Sequence, residues 1–548
     1  MSTTDRDAFD PEGLTGVSRR TFLRYTGTLS VAAALTAGLA ACSSGPKSTN
    51  AVSTKGAGGS APNTIEATLA FELSSGFDPM NASSAVATCA NQHIFEALVD
   101  LDPISRKPYL ALAKEQPKES NGGKTWTVTL RDGAKFSDGS PVTAEDVAWS
   151  FTRANDPKNA ALMALFIPFI DRVEAKDKTT AVFHLKTPFS LFPERIAVIK
   201  IVPKALTKDA AASKKFDNSP VGSGPFKLDS VSKESGLTLS ANSNYNGPRP
   251  AKVDKMTWGT TTEASTRIAN LTSGRVQAIE AVPYLNVSQL EGKQFQVDKK
   301  QAFNLLFLMF NCSAKPFDDK RVRQALFYAL DTEKIIKTAL QGYATPATSY
   351  LDEGNAGYQR ASTVYTYNPG KAKALLKQAG VRDLTFELVT TDTSFIKDSA
   401  PLIVESWKNI GVTAKLNTVP SAAVYGDLVP KDSFRALAAS GDPTVFGPDV
   451  DLLLRWFYYG AAWPKDRYRW DPADRAKAAD WIDQAARETD PDKQKQIWKQ
   501  VLDFVAEEVP LYPVYHTKTI TGSDPKQLSG FQGAATTGLY FLKTDRTA

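Results

Sequence analysis

Apolar positions along this chain alternate between a period of two and a period near 3.6, so strands and helices take turns from one end to the other. From Thr125 to Leu130 the alternation is strict. Trp126, Val128 and Leu130 fall on one face and the threonines on the other, which predicts a half-buried strand. An earlier short strand runs through Ile65, Ala67 and Leu69. Between the two, Val86, Cys89, Ala90, Ile94, Ala97 and Leu98 recur at helical spacing and predict a helix within Ser83–Leu98. Further on, Phe303 to Phe310 is an almost unbroken apolar run, short enough for a strand buried on both faces.

Polar punctuation sharpens these boundaries. Asp132-Gly133 and Asp138-Gly139 are turn signals around Phe136. Thr143-Ala144-Glu145-Asp146 reads as a capping box opening a helix through Val147 and Phe151. Asp318-Asp319 precedes an amphipathic stripe of Val322, Ala325, Leu326, Ala329 and Leu330, where acidic groups complement exposed helix N–H groups. Asn368-Pro369 supplies a cap and a first-turn proline, and Gly380 the stop. Helices are also predicted over 474–489 and 491–508, with a strand at Tyr512-Pro513-Val514-Tyr515 beyond Pro510. No internal repeat is present, so the expected class is mixed α/β.

The first 63 residues follow a different rule. Ser18-Arg19-Arg20-Thr21-Phe22-Leu23 resembles a twin-arginine export signal, and Tyr25–Ala41 is an apolar stretch shorter than the ~20 residues a membrane span needs. Leu39-Ala40-Ala41-Cys42 resembles a lipobox. The expectation is a signal peptide over 1–41, lipid on Cys42 and a protein tethered outside the cytoplasmic membrane. Residues 42–63, rich in Ser, Gly, Ala and Thr, read as a flexible tether spanning roughly 25 Å r.m.s..

Beyond the leader the chain is long enough for two or three domains. Hydrophobic residues make up 42% and charged residues 23%, as in ordinary folded proteins. The net charge of +6 is dispersed, with no basic block to track a phosphate backbone, which argues against a nucleic-acid partner. Cys89 and Cys312 could form a disulfide in an oxidising compartment or stand as two separate buried thiols, the second being the simpler reading. The three histidines, His93, His184 and His516, lack metal-ligand spacing, so neither a metal nor any other cofactor is expected. G-x-S-x-G, G-x-x-x-x-G-K-[ST] and H-E-x-x-H are all missing. Gly222-Ser223-Gly224-Pro225 lacks the third glycine of a dinucleotide loop, and Ser394-Phe395-Ile396-Lys397 lacks the companion motifs of penicillin-binding enzymes. With no catalytic set, a binding protein is expected and an enzyme is not.

Five ordered stretches then carry a resemblance. Gly133-Ala134-Lys135-Phe136-Ser137-Asp138-Gly139 with Pro141 to Val147 is the first, and Val221-Gly222-Ser223-Gly224-Pro225-Phe226 the second. Asn244-Tyr245, Lys315 to Ala325 and Tyr367 to Leu376 complete the set. Together they resemble family 5 extracellular solute-binding proteins, the oligopeptide and nickel receptors of ABC importers. Ser137 departs from the family, where a histidine is common before Asp-Gly. The resemblance implies a two-lobed, type II periplasmic-binding-protein-like α/β fold of the large peptide-binding cluster, with an extra subdomain in lobe one. Lobe one is expected from 64–302 plus 518–548, with an inserted subdomain near 85–215, and lobe two from 313–510. Crossings are expected at 303–312 and 511–517.

The same resemblance implies a small solute as ligand, short peptides first, with permease and ATPase subunits as partners and a monomeric receptor. Oligosaccharides, or less favourably a metal chelate, are the alternative solutes, and an exported enzyme the alternative outside import. Asp442, in Ser440-Gly441-Asp442-Pro443, is similar to the family aspartate that pairs with a peptide amine. Phe446, Trp456, Tyr459 and Trp463 are the expected aromatic contacts. Asn91, with His93 beside it, is the expected residue of the opposite wall.

Overall fold

A computed structural model describes residues 63–547 apart from 233–235 and 421–422. The leader with Arg19, Arg20 and Cys42, and the tether as far as residue 62, lie outside the described residues. Among the described residues no helix is long and apolar enough to cross a membrane.

The apolar run at 303–310 forms the end of a longer strand, Gln296–Phe310, in which Leu305 to Phe310 are all fully buried. It pairs antiparallel with Leu511–Ser523. These two strands form the middle of one large sheet. On one side the order continues through Ala436–Gly441, Thr385–Thr391 and Thr413–Val419. On the other it continues through Ala278–Ile279, Thr64–Leu69, Lys255–Thr260, Gly236–Ala241 and Phe226–Ser232.

The register of the central pair shifts twice, between Leu306 and Phe307 and, more widely, between Gln301 and Leu305. Gln301 faces Lys518, yet Leu305 faces His516, so three residues of one strand oppose the single Thr517 of the other. This bulge is pinned from both sides. The Asn304 amide donates to Thr517 Oγ1 at 3.0 Å, and His516 Nδ1–H donates to the Phe303 carbonyl at 2.7 Å. Bulges re-aim side chains beside binding sites, and this one turns Gln301, Ala302 and Phe303 into the wall of a cavity.

A separate four-stranded sheet of Lys118–Ser120, Thr125–Thr129, Thr180–Leu185 and Ile170–Ala175 packs with helix Ala144–Asn155. Trp126, Val128 and Leu130 are buried, as their alternation requires. The capping box forms, with Thr143 N–H donating to Asp146 Oδ2 at 2.9 Å and Asp146 N–H to Thr143 Oγ1 at 3.3 Å. Asp319 and Asn368 likewise cap their helices through N–H groups of Arg321 and Lys371.

The first helix is shorter than its periodicity suggests, Ala85–Ile94, because its last turn is claimed by a loop. Gly224 N–H donates to the Ile94 carbonyl at 2.8 Å. A Cβ on Gly224 would meet the His93 carbonyl at 2.5 Å, and one on Gly222 the Ile94 carbonyl at 2.0 Å. Close backbone approach therefore explains the Gly222-Ser223-Gly224 motif. Cys89 and Cys312 are both free thiols, and Cys89 donates to the Leu539 carbonyl.

Candidate solute-binding site

A cavity of about 740 Å³ lies at the bulge, a size typical of small-molecule sites. It is walled, besides residues 301–303, by the turn at 101–108, Leu191 and Glu194, the loop 352–359, the stretch 444–450, the start of helix Pro491–Glu508 and Ala535.

The turn delivers Arg106. Asp102 folds it by accepting the N–H groups of Ile104 at 3.1 Å and Ser105 at 2.7 Å, and its carbonyl accepts Arg106 N–H at 2.8 Å. Burial alone would raise the Asp102 carboxyl. Hydrogen bonds from Lys543 and Ser105 and the Arg249 charge outweigh it and hold the group well below the usual carboxylate range. Arg106 itself sits in the left-handed region at φ 59°, a conformation residues with a Cβ seldom adopt. Its guanidinium donates to the Thr444 carbonyl, while its buried Nε–H has no hydrogen-bond partner. That N–H remains able to donate a hydrogen bond.

Carboxylates complete the wall. Asp352 is buried and accepts Gly354 N–H at 3.0 Å, and burial pushes its carboxyl up while the neighbouring His516 opposes the shift. Asp449 caps the helix Val450–Tyr458 and is bound by Arg195 at 2.6 Å, so its charge is already matched.

None of the six residues expected from the sequence lines this cavity. Asp442 lies just behind it. Its carboxylate accepts Thr536 Oγ1 at 2.9 Å and Thr537 N–H at 3.3 Å, in addition to both donors of Thr444. Phe446 and Trp456 pack on Phe166, with ring centroids 5.7 and 6.0 Å away. Tyr459 donates to Asp483 at 3.1 Å beneath the Arg455 guanidinium. Trp463 packs edge-on to Phe457 and Phe307 in the core. Asn91 is buried with its Oδ1 unpartnered. His93 is also interior: its Nδ1–H bonds the Cys89 carbonyl and its Nε2 accepts Phe541 N–H at 3.1 Å. Arg106 and Asp352 carry no sequence signal beyond a short polar turn, Asp102-Pro103 and Asp352-Glu353-Gly354, which announces a turn and not what it faces.

The sequence profile of bacterial extracellular solute-binding proteins, family 5 (middle region), matches residues 107–465. The chain belongs to that family. Glutathione-binding protein GsiB of Escherichia coli O1:K1 / APEC is 28% identical over 478 residues, covering 85% of this chain and 92% of that protein. Among solved structures, the dipeptide-binding protein of Pseudoalteromonas sp. SM9913, bound to Met-Leu, superposes with a TM-score of 0.79 at 20% identity. That match covers 88% of this chain and 100% of the other. The oligopeptide-binding protein AppA of Bacillus subtilis, bound to a nonapeptide, superposes at 0.78 and 22% identity, covering 88% and 99%. This is the two-lobed, type II α/β fold, and the chain is a solute-binding protein.

Proposed function

We propose that this protein is the receptor of an ABC importer, anchored by lipid on Cys42, that captures short peptides between its lobes and releases them unaltered to the permease and ATPase subunits. The observation that carries the peptide reading is the charge layout of the cavity. A guanidinium with an unmatched Nε–H stands at one wall, the Asp352 carboxylate lines the same cavity, and the Asp442 carboxylate lies behind the Thr444 wall. A zwitterion with a free carboxylate and a free amine complements that layout, whereas a neutral sugar does not.

In this reading Arg106 receives the terminal carboxylate. Asp442 receives the amine, because an ammonium is a stronger donor to a carboxylate than the threonine groups it now accepts. Phe446, Trp456, Tyr459, Trp463 and Asn91 support the walls from behind. Lobes 64–302 with 518–548 and 313–510 would close about the bulge at 302–304, the body acting as a monomer.

The test is a melting-temperature screen with a tripeptide library beside cello- and xylo-oligosaccharides. Ligand binding to the native state raises the melting temperature by mass action. Tripeptides should raise it and the sugars should not. Sugars alone raising it would overturn the peptide reading. Labelled fatty acid incorporated into the wild type but not into Cys42→Ala would support the anchor, and equal labelling would refute it.

A further inference from the structure

A second hollow of about 90 Å³ adjoins the cavity and shares Gln301 and Asp352 with it. Its polar groups are unevenly matched. The donors are already engaged: Thr345 Oγ1 donates to Gln301 Oε1 at 3.0 Å, the Gln301 amide to the Ala302 carbonyl at 3.1 Å, and the Thr348 hydroxyl to Glu353 Oε1 at 3.2 Å. The acceptors are not. His516 is only 2% exposed, and its Nδ1–H is committed to the Phe303 carbonyl. The lone pair of the neutral ring therefore lies on Nε2, which has no hydrogen-bond partner. The Asp352 carboxylate takes backbone N–H groups only from Gly354 and from its own residue, although a carboxylate can accept about four. The Ser349 carbonyl faces the same ring, and the Asp442 charge is felt at both His516 and Asp352.

A surplus of buried acceptors under a negative field is the complement of a cation with several N–H groups. An apolar group there would leave Nε2 and the carboxylate unmatched. A hydroxyl would satisfy one of them and none of the charge. The volume suits a head group the size of about three water molecules.

Building on the peptide reading above, we propose that this hollow is a subsite for a basic side chain of the solute, whose ammonium or guanidinium donates to His516 Nε2 and the Asp352 carboxylate. The main cavity then holds the peptide termini, and the hollow selects among peptides.

Calorimetry on the full chain tests this with trialanine peptides carrying lysine, norleucine or glutamate at each position in turn. At one position lysine should bind at least about ten-fold tighter than norleucine, and Asp352→Asn and His516→Gln should each bring that ratio toward one. Norleucine matching lysine at all three positions, or a ratio unmoved by Asp352→Asn, would overturn the proposal. If no tripeptide binds, the peptide reading fails, and the hollow is judged with n-butylammonium alone. A saturable ¹⁵N shift of the His516 ring, lost in Asp352→Asn, supports the subsite. No shift up to roughly 50 mM overturns it.

Discussion

Arg195 and Asp451 are both completely buried and meet at 2.8 Å, joining the region of the four-stranded sheet to the helix Val450–Tyr458. Asp451 also binds Arg455 at 2.9 Å, Arg455 binds Asp483 at 2.7 Å, and Arg195 reaches Asp449 at 2.6 Å. Asp449, Arg195, Asp451, Arg455 and Asp483 thus form a chain of alternating charges that starts at the cavity wall. Burial would raise the Asp451 carboxyl, but Arg455 and Arg195 outweigh it and hold it low.

Removing one partner strands charge in the interior. Arg195→Ala should destabilise by about 3–5 kcal/mol in denaturant titration, and the paired change Arg195→Met with Asp451→Leu by clearly less. If the double substitution were as damaging as the single one, packing of Arg195 and not its charge would be the source of stability.

Acid should weaken the fold through His93. Burial lowers its pKa from 6.5 to about 4, and the Cys89 carbonyl only partly opposes this. The unfolded chain therefore takes up the proton first. Stability is fully present above about pH 6.5 and falls as the pH drops toward 4, by on the order of 3 kcal/mol for this group. His93→Asn should be less stable at pH 7 but should flatten the decline of melting temperature between pH 6.5 and 4. An unchanged slope would assign the acid sensitivity elsewhere.

Gly224→Ala should disturb the same helix end. Its methyl group would sit 2.5 Å from the His93 carbonyl, and relieving the overlap requires shifting backbone. A loss of about 1–3 kcal/mol by chemical denaturation is expected. A neutral effect would show that the loop yields freely.

Much of this architecture was legible locally. The capping box at Thr143, the caps at Asp319 and Asn368 and the buried strand before Phe310 follow from neighbours in sequence. What was not legible depends on distant pairing. The strand through Tyr512 runs on to Ser523 because polar residues such as Thr517 and Thr519 find partners at Asn304 and Lys300. No periodicity announces that. Trp456, Tyr459 and Trp463 are contacts expected from the sequence, but an apolar helix stripe looks the same whether it faces a solute or, like Phe457, the core. Arg106 gained its place only when residues 338 positions apart came together at Thr444.

Asp442→Asn separates the proposed amine acceptor from a purely structural aspartate. Affinity for a tripeptide with a free amine should fall about 10- to 100-fold, and for its N-acetylated form less than about three-fold, as measured by competition. Equal losses would leave Asp442 only its bonds to Thr444, Thr536 and Thr537.

Titration calorimetry of trialanine, its doubly blocked form (acetylated and amidated) and cellotriose addresses the central claim most directly. Capture of a zwitterionic peptide predicts a single site for free trialanine, binding roughly 100-fold tighter than the blocked peptide, with intact peptide recovered afterwards and no heat from cellotriose. Single-site binding of cellotriose with no response to any free peptide would contradict the account.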